Sequence, residues 1–417
     1  MPPAPRPVAP GTVFWLILPH GAANGFVTVT LPFLLTRAGL TVGEAGAIVA
    51  LALLPQTWRF VWAPVVDLTL TPRRWYGLSL AAAVLAVAAF GVLPVGRGPT
   101  GLIAAAAVLA QAAGVFISAP VSAITVRQVA PEARGRAAGW LQAGSLAGTG
   151  AGGGLGVWLA AHVSAPAAPV GLAAAMLACG VALRWVPVDG AIARADRVAD
   201  RLRTMWRDLR AVLREPEGLL VAGTSCLPLA AGGLMGVWSS VAPAWRASPD
   251  QVALVTGVLY AALTTLGCVL AGWLMDRASR WTVFLGGSVV MAGVTALLLA
   301  APRTPGVYVA GVAAYALVVG VGYAGYTATV IRVTGPGAAA TTYAVLTALG
   351  NLPVAYATWA DARAYDRWGV PGLLGADTAL SLLALVPAVA GLALVRRARR
   401  RRAAAPAAAP ALALGPA

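Results

Sequence analysis

Apolar residues gather in long runs, and each run is about as long as a bilayer is thick. A spanning helix needs roughly 20 apolar residues. Twelve such runs can be drawn: 12–36, 43–66, 76–95, 101–126, 138–162 and 168–186, then 217–243, 250–275, 281–301, 306–331, 341–364 and 371–395, numbered spans 1 to 12. Several stretches between them are turn-like, such as Gly96-Arg97-Gly98-Pro99, Ser164-Ala165-Pro166 and Pro302-Arg303-Thr304-Pro305. Such short links make sequential spans neighbours. The pattern predicts an all-α membrane protein with twelve transmembrane helices in two pseudo-symmetric six-helix bundles.

One hydrophilic stretch is longer, at 187–216. Within it Val198, Leu202, Met205, Trp206, Leu209, Val212 and Leu213 recur at helical spacing. Asp196, Arg197, Asp200, Arg201, Arg207, Asp208 and Arg210 take the other face. That is the pattern of an amphipathic helix lying on a membrane surface. The chain divides accordingly into a bundle at 1–190, a linker at 191–216, a bundle at 217–396 and a tail at 397–417. The tail is basic at first, which suits acidic lipid, and then rich in Ala and Pro, which suits disorder.

The second half echoes the first. Span 2 ends Trp62-Ala63-Pro64-Val65-Val66-Asp67 with Arg73 and Arg74 beyond, and span 8 ends Gly272-Trp273-Leu274-Met275-Asp276-Arg277 with Arg280 beyond. Arg127 with Pro131 recurs as Arg332 with Pro336. A half-chain repeat in so apolar a sequence points to a duplicated transporter with a pathway between its halves. Span 5 carries Gly144, Gly148, Gly152 and Gly156, which share one helix face and let another backbone approach closely.

Composition strengthens this picture. Hydrophobic residues make up 59% and charged residues 11%, against roughly 25% charged in a soluble domain. The net charge of +16 would suit a nucleic-acid binder. The basic residues are all arginine, however, and most fall in the even-numbered loops and the tails. That asymmetry follows the positive-inside rule, places both termini in the cytoplasm of an inner membrane, and argues against nucleic acid as a partner. Cys179, Cys226 and Cys268 lie in apolar runs without metal spacing and read as packing residues. The first run begins near Thr12 and is too long for a signal-peptide core, so it is expected to remain as a span. Without a metal set, nucleophile elbow or phosphate loop, neither enzyme nor cofactor is expected. The expected partners are a small-molecule substrate and the lipid bilayer, around a monomer.

Polar groups within the spans are costly and therefore candidates for function. Arg59 lies about 12 Å along the helix from Asp67, at ~1.5 Å per residue. It either snorkels to the interface or binds an anion in the cavity. His20 and Asn24 share a face of span 1, and His20 is either a proton carrier or a hydrogen-bonded structural residue. Gln111, Gln142 and Asn351 lie in spans 4, 5 and 11, and Tyr323 in span 10, as substrate-binding candidates. Asp361 and Asp377 join His20 as proton-coupling candidates, with an interfacial or structural role as the alternative for each. Asp67, Arg73, Asp276, Arg277 and Arg280 stand at span ends where loop pairs can gate the pathway.

Together, twelve runs in two sets of six and a repeated glycine–acid–arginine signature resemble the major facilitator superfamily. The second copy, Gly272-x-x-x-Asp276-Arg277-x-x-Arg280, is good; the first is degenerate, with Ala63 for the glycine and Leu68 for the basic residue. The stretch Gln56 to Asp67 resembles span 2 of muropeptide permeases and acetyl-coenzyme A transporters, and Thr342 to Asn351 resembles that branch's span 11. The resemblance implies secondary transport by alternating access, with the position of Arg59 basic in that branch. Muropeptide permeases also tend to carry acids within spans 4 and 7. Here 101–126 has none, and 217–243 has only Glu217 at its edge.

Overall fold

A computed structural model describes residues 7–40, 42–93, 100–187, 198–335 and 339–404. Among these, every regular element is helical and none is a strand. Helix occupies each of the twelve apolar runs. Seven helices are long and apolar enough to cross a membrane, by length and composition. One of these is the continuous Ala339–Arg401 stretch, which joins spans 11 and 12.

In the first half, span 1 runs as Thr12–Gly25, a π turn Phe26–Thr30 and Leu31–Arg37. Span 2 is Val42–Thr57 and Arg59–Leu68, interrupted at Trp58. Pro72–Ala89, Thr100–Gln128, Arg134–His162 and Ala167–Cys179 follow as spans 3 to 6. Local sequence sets several helix starts. Thr71, Ser279 and Thr304 each accept a hydrogen bond from an amide three residues on. Proline follows Thr71 and Thr304, where its missing N–H costs nothing.

The second half departs from expectation at span 7. That span is predicted as one helix over 217–243, but regular α-helix covers only Pro216–Ser225. Beyond lie short turns, Gly233–Gly236, Trp238–Val241 and Ala242–Trp245. Pro228 cannot donate to a helix ladder, and Ala230 and Gly232 adopt positive φ of 47° and 75°. Hydropathy shows apolar length; it does not show this break. Pro249–Ala253 and Tyr260–Leu274 flank a π turn, Leu254–Leu259, in span 8. Arg280–Ala300 and Pro305–Val333 form spans 9 and 10. Ala339–Leu349 begins span 11, and Leu352–Ala404 completes it and bends at Gly369 (φ 62°, ψ −150°) into span 12. The basic part of the tail through Arg402 continues this helix; residues 405–417 lie outside the described residues.

Small residues set the packing. A methyl added at Gly148 or Gly152 would land on the carbonyl oxygen of Leu18 or Ala22 in span 1. Added at Gly21 or Gly25, it would land on Ser145 or Thr149 of span 5. The glycine face read from sequence is therefore a reciprocal backbone contact. Gly139 meets Cys268 and Gly272 across the seam between spans 5 and 8. The linker forms Val198–Arg214 with Leu209 buried and Trp206 exposed; its expected start at 191–197 lies outside the described residues.

Candidate functional site

Arg59 stands at the break in span 2, just after Trp58 leaves helical geometry. Its side chain is half-buried, and Nε is buried without a hydrogen-bond partner. It lines a cavity with Val115, Ser118 and Ala119 of span 4 and Ala340, Tyr343, Ala344 and Thr347 of span 11. The guanidinium therefore faces the seam between the bundles, and the snorkelling alternative does not describe this conformation. No carboxylate pairs with it among the described residues. A cation held this way in a low-dielectric seam attracts an anion or a strong acceptor.

Polar side chains of spans 1, 2 and 4 meet deeper in the first bundle. Asn24 Oδ1 accepts from Gln56 Nε2 at 2.7 Å and Gln111 Nε2 at 3.1 Å. Its own Nδ2 lies 3.5 Å from Thr149 Oγ1. Gln111 Oε1 is buried without a partner, so one acceptor remains. His20 Nδ1 lies 2.9 Å from the Gly114 carbonyl and donates to it, which leaves Nε2 as the free ring nitrogen. Gln142 is half-buried on span 5, and none of the described bonds of Asn24 reaches it. Tyr323 lines a second cleft with Ser225, Tyr326 and Gly350. Tyr326 donates to the Leu346 carbonyl at 2.6 Å and approaches Ser225 Oγ at 3.0 Å. Asn351 is exposed at the break between the two helices of span 11. Sequence reading did not single out Gln56 or Tyr343 as site residues. Both fall in the segments that carry the family resemblance, but only the folded chain brings Gln56 to Asn24 and Tyr343 to Arg59.

The gating candidates lie at the end of the bundles where Val8 bonds to Gln128 and Arg399 to Glu217. Asp67 accepts from Arg127 at 3.2 Å, from the amides of Ala340 and Thr341 at 3.3 and 2.9 Å, and from the Thr341 hydroxyl at 3.0 Å. A carboxylate of the first half thus caps the start of span 11 in the second. Asp276 pairs with Arg136 of span 5 at 3.1 Å, again across the seam. The other three gating candidates bond within their own half. Arg73 donates to the Val186 carbonyl, Arg277 lies over Trp273 at 3.8 Å, and Arg280 and Arg399 both pair with Glu217.

The two acids expected near membrane depth in the second half are both buried within the protein. Asp361 is 0% exposed and neither of its oxygens has a partner. Asp377 is buried and accepts from Tyr315 at 3.2 Å.

Two helical bundles bridged by carboxylates at one face, with Arg59 in the seam between them, have the arrangement of a multi-pass membrane transporter. The chain belongs to the Major Facilitator Superfamily, whose model matches residues 13–358. Solved structures share the fold. The human organic anion transporter MFSD10 (TETRAN) aligns at TM-score 0.66 and 16% identity, over 89% of this chain and 97% of that one. A bacterial homologue of the iron transporter ferroportin in its outward-facing state aligns at TM-score 0.66 and 16% identity, over 92% and 98%. Its iron-soaked form gives 0.64 and 15%, over 92% and 98%. Among curated proteins no sequence relative matches the chain.

Proposed function

We propose that the protein is a secondary active transporter that moves a small polar or anionic solute across the inner membrane by alternating access, driven by an ion gradient. The observation that carries this reading is Arg59, a cation in the seam with no carboxylate partner among the described residues and a buried, unbonded Nε. The anionic or acceptor group of the solute completes it. Gln56, Gln111, Asn24 and the free nitrogen of His20 supply polar contacts from the first bundle; Tyr323 supplies one from the second. The face bearing the Asp67 and Asp276 pairs is cytoplasmic, a reading the arginine distribution supports, and the working unit is a monomer.

Counterflow uptake of pooled metabolites into proteoliposomes identifies the solute. Arg59→Ala then abolishes its binding, measured by calorimetry, while melting in detergent stays near that of the parent. Normal affinity in Arg59→Ala would remove the guanidinium from the site. Cysteines placed at Ala165 and Arg303 react with an impermeant thiol reagent on intact cells, and one at Asp200 does not. A reactive Asp200 position overturns the orientation.

A further inference from the structure

We propose that the first bundle holds one anionic diacyl phospholipid at the end remote from Asp67, with the lipid phosphate on Arg37 and an acyl chain along the outer faces of spans 3 and 6. The site lies apart from the solute pathway and uses none of its residues.

A cavity of about 520 Å³ opens at this end, a volume typical of ligand pockets. Four spans meet around it. Arg37 comes from the end of span 1, Phe90 and Leu93 from the end of span 3, Ala160 from the end of span 5, and Ser164 and Pro166 from the turn into span 6. Arg37 is the one charged residue in the lining, and no lining residue is acidic.

Arg37 is held from two sides. Its Nη1 donates to the Ala160 carbonyl at 3.2 Å, and its guanidinium carbon lies 5.9 Å from the centre of the Phe33 ring. That carbonyl belongs to the last turn of span 5, where the helix has no amide left to offer it. The bond fixes the side chain and uses one N–H of a planar fork that has several. Arg37 is exposed, so the rest of the fork is open to a phosphate, which it matches in pairs.

Membrane surface adjoins this cation. Leu78 and Leu85 on span 3 are exposed, as are Val170 and Leu177 on span 6. Residues seven apart share a helix face, so each pair makes an apolar stripe running from the cavity end toward the bilayer middle. The two spans touch at the cavity: a methyl on Gly91 would land 2.8 Å from Val170 Cγ2. Trp158, also exposed, sets an aromatic side chain of the interfacial kind at this end of span 5. A soluble anion gains nothing from the stripes, and a neutral lipid gains nothing from Arg37. An anionic phospholipid uses both, in the manner of basic pockets between spans that take acidic headgroups. Bound there, it braces four spans of one bundle.

The test uses the full chain in detergent, stripped of lipid, with phosphatidylglycerol titrated and retention read by native mass spectrometry. One phosphatidylglycerol should be retained per chain, in preference to phosphatidylcholine. Arg37→Gln should weaken it by about tenfold, the size of one lost charge-assisted hydrogen bond. Ala161→Trp fills the cavity, keeps the charge and should also displace the lipid. Arg303→Ala removes an arginine between spans 9 and 10 and should retain it. Melting temperature, compared with and without lipid in each variant, separates lost binding from lost folding: phosphatidylglycerol should raise it in the parent and in Arg303→Ala but not in Arg37→Gln. Millimolar inorganic phosphate should leave the lipid in place. Equal retention of phosphatidylcholine, undiminished binding in Arg37→Gln or in Ala161→Trp, or displacement by inorganic phosphate would overturn the proposal. These readouts need neither a solute nor a gradient, so a failure of the lipid site and a failure of the transport reading are separate results.

Discussion

Asp67 and Asp276 stand at corresponding ends of spans 2 and 8 and bond across the seam by different means. The Asp67 side chain is 2% exposed and accepts from Arg127, two amides and a hydroxyl. The Asp276 side chain is 31% exposed, and its partner Arg136 is 52% exposed. The first contact occupies amides that a helix start cannot bond internally, and it places a negative charge at the positive end of the helix. The second is a surface ion pair, screened by water and salt. The half with the degenerate motif therefore holds the tighter lock. At matched positions it is burial, not completeness of the motif, that sets the strength of the contact.

The widest separation between the two copies is expected from Asp67→Ala. Removing the buried carboxylate costs about 3–5 kcal/mol, because the span 11 amides lose their acceptor. The closed population should fall more than a hundredfold where about 1.4 kcal/mol is a factor of ten. Spin labels at the exposed Arg74 and Arg332, one in each half, measure this as loss of the short distance. A closed distance unchanged in Asp67→Ala would reduce Asp67 to the standing of its counterpart.

Gly139→Ala comes next. Its methyl would land on the Cys268 carbonyl and the Gly272 Cα, and overpacking of this kind costs about 1–3 kcal/mol. Both the melting temperature in detergent and the closed fraction should fall. Asp276→Ala is expected to be milder, about 0–1 kcal/mol. Its residual effect should vanish at high salt, whereas that of Asp67→Ala should persist. Equal salt dependence in the two variants would contradict the contrast in burial.

What the sequence shows and hides follows the same division. Span positions, the linker helix and the glycine face of span 5 are legible, because membrane thickness and helical period write themselves into one dimension. The break in span 7 is not, since Pro228 and the Gly232-Gly233 pair sit in a run as apolar as its neighbours, and glycine and proline are common in intact spans. Arg59 and Asp361 are legible as charged residues within or at the end of apolar runs. Their partners are not, because Tyr343 lies far along the chain from Arg59 and Gly233 far from Asp361. Arg73, Arg277 and Arg280 match the motif and bond within their own halves, a choice made by side-chain reach in three dimensions.

The smallest expected effect is the one the motif would rank among the largest. Gly272 is the glycine of the well-preserved copy, and Ala63 stands in its place in the first. A methyl on Gly272 would meet Arg136 at 3.5 Å and the Gly139 Cα at 3.6 Å, ordinary van der Waals separations. The close approach of spans 5 and 8 depends on the opposite glycine, Gly139. Ala63 is itself buried at the matching end of span 2, which shows that this register of the fold accepts a methyl. Gly272→Ala should therefore change melting temperature and closed fraction by less than the scatter among surface substitutions, about 0.5 kcal/mol. Measured beside Gly139→Ala in one preparation, it isolates which side of the seam requires the bare backbone. A loss in Gly272→Ala equal to that in Gly139→Ala would show that the seam tightens beyond the distances seen here, and would return the motif glycine to the gate.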